Sequence, residues 1–218
     1  MAPTPDSVRA VIWDFGGVFT TSPFDAFNRY EAERGLPADI IRRINTVNPD
    51  TNAWARLERS ELTAEAFDAV FAEEARALGC DIPGRDVLAR LSGDLRPRVV
   101  AAFQACKAKF RVGCITNNAP TGKGAGMAST SEKAQAVAAV FAQFEHVIES
   151  SKAGVRKPDP RIYRMMCEAL KVAPETCVYL DDLGINLKPA RDMGMATIKV
   201  TSEQQLLDDL SQAVGIDW

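Results

Sequence analysis

Four places in this chain set a chemically useful side chain just after a short apolar run. Asp14 stands in Trp-Asp-Phe-Gly-Gly-Val-Phe-Thr, and Thr116-Asn117-Asn118 follow Gly-Cys-Ile. Lys157 lies in Gly-Val-Arg-Lys-Pro-Asp-Pro, and Asp181-Asp182 follow Val-Tyr-Leu. A carboxylate at a strand end can act as the nucleophile of phosphoryl transfer, giving an aspartyl-phosphate. A hydroxyl and an adjacent amide can bind phosphate oxygens, and a lysine offsets the negative charge that gathers in the transition state. Two or three gathered carboxylates call for a cation, and an oxygen-only donor set suits Mg²⁺. That ion would also screen Asp14 from an anionic phosphate.

Each residue alone has a plainer reading. A strand-end Asp often caps a turn, Thr-Asn-Asn often is a turn, a lysine before Pro-Asp-Pro is often a solvated charge, and an Asp pair can cap a helix. Their order and shared placement carry the argument, because ligands of a doubly wound sheet bind at the carboxyl edge of its strands.

The elements that must position these residues are legible as a pattern. Residues 8–15 form a short apolar run that stops at an acid and two glycines, as a buried strand entering a loop does. Similar β-branched runs recur at Val112–Thr116, Val147–Ile148, Val178–Leu180 and Thr197–Val200. Helical patterns separate them, which predicts an α/β fold: a Rossmann-like parallel sheet covered on both faces. Lys157 is expected to open one of the helices. Between the first strand and the second the pattern is helical throughout. Ser22-Pro23 caps a helix to about Arg34, and Pro37–Val47, Thr51–Arg59, Thr63–Leu78 and Arg85–Leu91 follow. A further helix over Arg96–Lys109 returns to the sheet. The expected organisation is a core of residues 1–19 and 96–218, with a helical cap of residues 20–95 inserted after the first strand.

Composition removes several alternatives. The chain has 218 residues, 46 % of them apolar and 25 % charged, with a net charge of −3. That excludes a disordered or collagen-like chain and argues against general nucleic-acid or anionic-membrane partners. With one histidine, His146, a two-His zinc motif cannot be built; a structural role at the start of a strand is expected for it. Cys80, Cys106, Cys114, Cys167 and Cys177 contain no C-x-x-C pair and read as reduced core thiols of a cytoplasmic protein. No window has the roughly 18 apolar residues of a membrane span. Gly-Lys-Gly-Ala-Gly, within the small-residue stretch 119–131, lacks phosphate-loop spacing and reads as a flexible linker. Trp13 and Trp54 are expected to pack.

In order and placement the four motifs resemble those of the haloacid dehalogenase superfamily, with the helical insertion in the position of that superfamily's cap. The stretch from Gly154 to Tyr163 and the stretch Tyr179-Leu-Asp-Asp-Leu-Gly-Ile-Asn-Leu-Lys-Pro-Ala-Arg-Asp-Met-Gly-Met are similar to the N-terminal phosphatase domain of soluble epoxide hydrolases. The Asp-Phe-Gly-Gly-Val start resembles the hydrolase domain of acyl-CoA dehydrogenase family member ten. The resemblance implies Asp14 as nucleophile and Mg²⁺ ligand, and Thr116 and Asn117 as phosphoryl-binding residues. It implies Lys157 as a bridge between phosphate and Asp14. It implies Asp182 and the Gly16 carbonyl as further metal ligands, with Asp181, Asn186 and Asn118 in support. The partner it implies is a small phosphorylated molecule, acted on by a monomer or homodimer.

One position departs from the pattern. Phosphatases of this superfamily usually carry a second Asp two residues after the nucleophile, which protonates the leaving group and then activates water. Here that residue is Gly16. Such a group typically contributes about 10²–10⁴-fold. The chain is therefore expected to be a phosphatase that needs a good leaving group or borrows an acid, with Thr20, Thr21 and Asp25 the nearest candidates. The alternatives are a metal-independent 2-haloacid dehalogenase, against which the Asp181-Asp182 pair argues, and a weakly catalytic binding or regulatory protein. An imine-forming hydrolase is set aside because the insertion has no lysine.

Overall fold

The computed structural model describes residues 5–119, 121–122 and 127–218. Lys123–Gly126, the centre of the expected linker, lie outside the described residues. Five short strands make one parallel sheet: β1 (Ala10–Trp13), β2 (Arg111–Thr116), β3 (His146–Glu149), β4 (Cys177–Asp181) and β5 (Ala196–Lys199), in the order β3-β2-β1-β4-β5. β1 is therefore central. Trp13 pairs in register with Cys114 on one side and Leu180 on the other. The strand order turns away from β1 in both directions, which leaves a crevice above its carboxyl end.

Side-chain alternation along β1 explains the two covered faces. Val11 and Trp13 pack into one apolar cluster with residues of α6 (Pro97–Lys107), α7 (Ser131–Phe141) and α11 (Glu203–Val214). Ala10 and Ile12 pack into another with residues of α9 (Pro160–Leu170) and α10 (Gly184–Asp192). The first face is aromatic beneath the Asp14 turn. Phe15 stacks on Phe19 at 5.4 Å and meets Phe141 at 4.3 Å between ring centroids, and Trp13 lies edge-on to Phe103 at 5.9 Å. Such contacts contribute about 0.5–1.5 kcal/mol each beyond burial and leave the turn little freedom.

Between β1 and β2 the chain forms α1 (Pro23–Glu33), α2 (Ile40–Thr46), α3 (Ala53–Glu58), α4 (Ala64–Ala77) and α5 (Gly84–Leu88). The starts follow from capping side chains: Ser22 accepts from Phe24 N, Asn52 from Ala55 N, and Thr63 from Ala66 N. These helices enclose their own cluster around Phe27, Tyr30, Ile41, Leu57, Phe67 and Phe71, which Ala119 joins from the β2 side. Two chain crossings link this cluster to the sheet. They are tied by a Thr20–Leu95 antiparallel bridge, a Thr21 N to Asp94 O bond of 2.9 Å and an Arg96 N to Phe19 O bond of 2.8 Å.

One local expectation changes. The helix after Lys157 begins at Pro160, so Lys157 lies in the preceding loop rather than opening the helix. Its start is set by Asp159, whose side chain accepts from Arg161 N. α7 begins at Ser131, the last residue of the small-residue stretch, because Thr130 caps it, accepting from Lys133 N. A four-residue turn, α8 (Ser150–Ala153), follows β3. Trp13 is fully buried, and all five cysteines are buried and free. His146 starts β3 and is exposed. No helix among the described residues is long and apolar enough to cross a membrane.

Candidate active site

Asp14 comes one residue after β1. Its N–H still bonds Leu180 O at 2.8 Å, so the sheet ladder reaches the residue itself. Thr116 ends β2 and Asp181 ends β4, which brings three chemistry-bearing residues to one edge. Lys157 enters from the loop before α9. Its ammonium lies 2.8 Å from Asp14 Oδ1 and 2.7 Å from Asp181 Oδ2, and the residue is 1 % exposed. A buried cation is costly unless paired, and here two carboxylates share it. Burial alone would push the Lys157 ammonium down; Asp14 and Asp181 outweigh it and hold the group protonated, well above its ordinary value.

Asp181 has no spare acceptor. Oδ1 accepts from Leu183 N at 2.8 Å and Asn186 Nδ2 at 3.0 Å; Oδ2 takes Lys157 and the Tyr179 hydroxyl. Asn186 is fixed in turn by Tyr163, whose hydroxyl donates to Asn186 O at 2.6 Å. The next residue, Asp182, is only partly buried and leans over the Asp14 turn. It approaches Gly17 so closely that a Cβ at Gly17 would collide with its carboxylate. Gly17 also has φ +73°, a conformation natural to glycine. Arg96 holds this turn from below, donating to Gly17 O at 2.9 Å.

Oxygens of Asp14, Asp181 and Asp182 lie within 4.8 Å of one another. The electrostatics show the strain of that crowding. Burial raises the Asp14 carboxyl well above its usual range, Lys157 opposes this, and the charges of Asp181 and Asp182 add to it. Burial, then Asp181, lifts Asp182 to about 7. Three crowded carboxylates, two of which share the Lys157 ammonium, form a cluster short of positive charge. An oxygen-only donor set of that kind fits a hard divalent cation.

The Thr-Asn-Asn segment divides its duties. Thr116 is buried at the edge. Asn117 is committed to Lys157 through a two-way clamp: Asn117 Oδ1 accepts from Lys157 N at 2.9 Å and Asn117 Nδ2 donates to Lys157 O at 3.0 Å. Both polar ends of the Asn117 side chain are thus engaged in this clamp. Asn118 ties β2 to the end of β3. It donates to Glu149 Oε2 at 2.8 Å and accepts from the Ser151 hydroxyl at 2.8 Å.

Gly16 faces open space: nothing lies within 4 Å of where its Cβ would be. The candidate substitutes for the missing acid do not fill it. Thr20 Oγ1 accepts from Gly17 N at 3.3 Å, Thr21 Oγ1 accepts from Asp94 N at 3.0 Å, and Asp25 is an exposed first-turn residue of α1. One acid that sequence reading missed does reach the site border. Glu58, at the end of α3, accepts from Asn117 Nδ2 at 3.3 Å, from Trp54 Nε1 at 2.9 Å, and from Arg156 Nε. Trp54 otherwise packs edge-on against Phe67 at 5.8 Å.

Residues 8–194 match the haloacid dehalogenase-like hydrolase family. The chain belongs to that family and is a hydrolase. Mouse acyl-CoA dehydrogenase family member 10 is 29 % identical over 96 % of this chain, and mouse bifunctional epoxide hydrolase 2 is 30 % identical over 97 %. This chain spans only 19 % and 40 % of those two proteins. A Mycobacterium tuberculosis protein named as a phosphatase is 28 % identical over 93 % of this chain and 91 % of its own. Among solved structures, a haloacid dehalogenase-family enzyme of Bacteroides thetaiotaomicron, in complex with magnesium and inorganic phosphate, gives a TM-score of 0.59 at 16 % identity. That match covers 90 % of this chain and 96 % of the other. An L-2-haloacid dehalogenase of Xanthobacter autotrophicus, with chloropropionic acid covalently bound, gives 0.58 at 20 % identity, covering 93 % and 82 %. The fold is shared by both, so the site has to separate the chemistries.

Proposed function

We propose that this hydrolase is a Mg²⁺-dependent phosphatase of small phosphorylated molecules, working through an aspartyl-phosphate on Asp14. The observation that carries the reading is the convergence of Asp14, Asp181 and Asp182, the first two of which share the ammonium of Lys157. A site built for a halogenated acid has no use for three crowded carboxylates. A site for an anionic phosphoryl group has a use for the cation they attract. The phosphatase name of the mycobacterial relative supports the same choice.

Asp14 Oδ would attack phosphorus, forming a P–O bond as the bond to the substrate oxygen breaks. Lys157 keeps one Asp14 oxygen fixed and offsets charge on the phosphoryl oxygens. The Thr116 hydroxyl and the Asn117 N–H would hold those oxygens. Asp14, Asp182 and the Gly16 carbonyl are the residues that would hold Mg²⁺, which supplies positive charge between carboxylate and phosphate. Asp181 stays outside that set because its lone pairs are taken, and it fixes Lys157 instead. Water then attacks the aspartyl-phosphate, releasing phosphate and restoring Asp14.

No side chain at position 16 gives a proton to the leaving oxygen or takes one from water. Aryl phosphates, whose oxyanions leave unaided, should therefore turn over faster than alkyl phosphates. We assign the helical segment 20–95 the role of a cap that excludes stray water from the edge.

Phosphate release from aryl and alkyl phosphates with Mg²⁺, and again with EDTA, tests the reading. The expected result is Mg²⁺-dependent release that favours aryl substrates. Halide release from 2-chloropropionate with the metal chelated, and no phosphate release, would replace it with the dehalogenase reading.

A further inference from the structure

Glu58 belongs to the helical insertion, yet it grips Arg156, the residue before the active-site lysine, and Asn117, which clamps that lysine. The residue is 5 % exposed and both of its carboxylate oxygens are engaged. Oε1 accepts from Trp54 Nε1, and Oε2 accepts from Arg156 Nε and Asn117 Nδ2. Arg156 immediately precedes Lys157 in the chain, and its Nη1 also donates to Pro49 O of the insertion at 3.0 Å. Asn117 holds Lys157 by both its backbone N–H and its backbone C=O. One carboxylate therefore holds the lysine loop directly and the Thr116-Asn117 loop through an amide. Burial raises the Glu58 carboxyl and Arg156 draws it back. With donors on both oxygens, Glu58 has no proton to offer, so it does not stand in for the acid missing at Gly16.

We propose that Glu58 is a positioning residue for Lys157, carried by the insertion, so that the lysine is set against Asp14 only when the insertion is docked on the sheet. The contacts nearby support a docked arrangement, since Ser60 Oγ, two residues further along, donates to Ser151 O at 2.8 Å. A carboxylate in this place couples two things that the fold keeps on separate units: closure over the edge and the position of the charge that serves the reaction. Its kinetic consequence rests on the phosphatase reading. A misplacement of about 1 Å at such a group costs up to about 10²-fold in rate.

The test is Glu58→Gln, which keeps size and one acceptor but cannot hold Arg156 as a charge partner. Steady-state kinetics with an aryl phosphate and Mg²⁺, a melting curve, and hydrogen–deuterium exchange on the segments containing Asn117 and Lys157 are read together. The proposal expects kcat to fall by about tenfold or more with KM within about twofold, and exchange to quicken in both segments. A rise in KM alone, or unchanged kcat, reduces Glu58 to a docking contact and overturns the proposal. If the wild-type chain releases no phosphate, the phosphatase reading has failed separately. Exchange then decides, and unaltered protection of both segments overturns the positioning role. Should Glu58→Gln not fold, Glu58→Asp keeps the charge but shortens the reach by one carbon; the same kcat loss is expected, and wild-type kcat overturns the proposal.

Discussion

The ammonium of Lys157 stands 2.8 Å from Asp14 Oδ1, and the same ammonium is tethered 2.7 Å from Asp181 Oδ2 on its far side. Asp181 is itself fixed by Asn186, Leu183 N–H and Tyr179. The lysine is thus held from behind and presented to the proposed nucleophile, rather than aimed by its own flexible stem. Removing the rear carboxylate leaves a buried cation with one partner. Asp181→Asn is expected to lower stability by about 3–5 kcal/mol, read by urea denaturation. A loss below about 1 kcal/mol would mean that Asp14 alone satisfies the lysine.

Gly16 lies beside open space, so a side chain can be restored there. Gly16→Asp is expected to fold normally and to raise kcat/KM on alkyl phosphates, which reports protonation of the leaving group, by about 10²-fold or more, with a smaller gain in kcat/KM on aryl phosphates. Equal gains in kcat/KM, or none, would show that proton transfer to the leaving oxygen is not what limits the first step.

Gly17 makes the opposite prediction. A Cβ there meets the Asp182 carboxylate, and its φ is +73°. Gly17→Ala is expected to cost about 1–2 kcal/mol through the backbone and to remove the stabilisation that Mg²⁺ gives, by displacing Asp182. An unchanged rise in Tm on adding Mg²⁺ would remove Asp182 from the metal site.

How much of this was open to the sequence differs by residue. Asp14, Thr116 and Asp181 were findable because each ends a short β-branched run, and a parallel sheet sends all such ends to one edge. The helix starts were findable from Ser22 and Thr63, whose capping is local. The clamp of Asn117 on Lys157 was not, because an amide's partner depends on loops that meet only after folding. Glu58 carried no signal at all: it is one acid among many on the helices, and its partner Arg156 lies 98 residues away in the chain. The glycine pair at 16 and 17 was visible, but that Gly17 takes positive φ against Asp182 while Gly16 faces open space depends on how β4 and its loop meet the turn after folding.

Stability should also report the acid cluster. Burial, with Asp181 beside it, raises Asp182 from 3.8 to about 7, and Asp14 shifts in the same direction. A carboxyl that is harder to ionise in the folded chain holds an extra proton there between the two values. The metal-free protein therefore loses stability as pH rises from about 4 through about 7. A bound Mg²⁺ displaces that proton, so the Tm gain from Mg²⁺ is expected to be larger near pH 8 than near pH 5.5. A gain that is constant or greater in acid would contradict metal binding by these carboxylates.

The most direct test of the account is a rapid-quench pre-steady-state time course with excess aryl phosphate bearing a radiolabelled phosphoryl group, with Mg²⁺ present. With no base at Gly16 to activate water, release of the aspartyl-phosphate should be the slow step. The account predicts a burst of aryl alcohol close to one per enzyme molecule, with label in the acid-quenched peptide that contains Asp14, and neither burst nor label in Asp14→Asn. Steady turnover with no label on that peptide, or turnover that survives in Asp14→Asn, would contradict it.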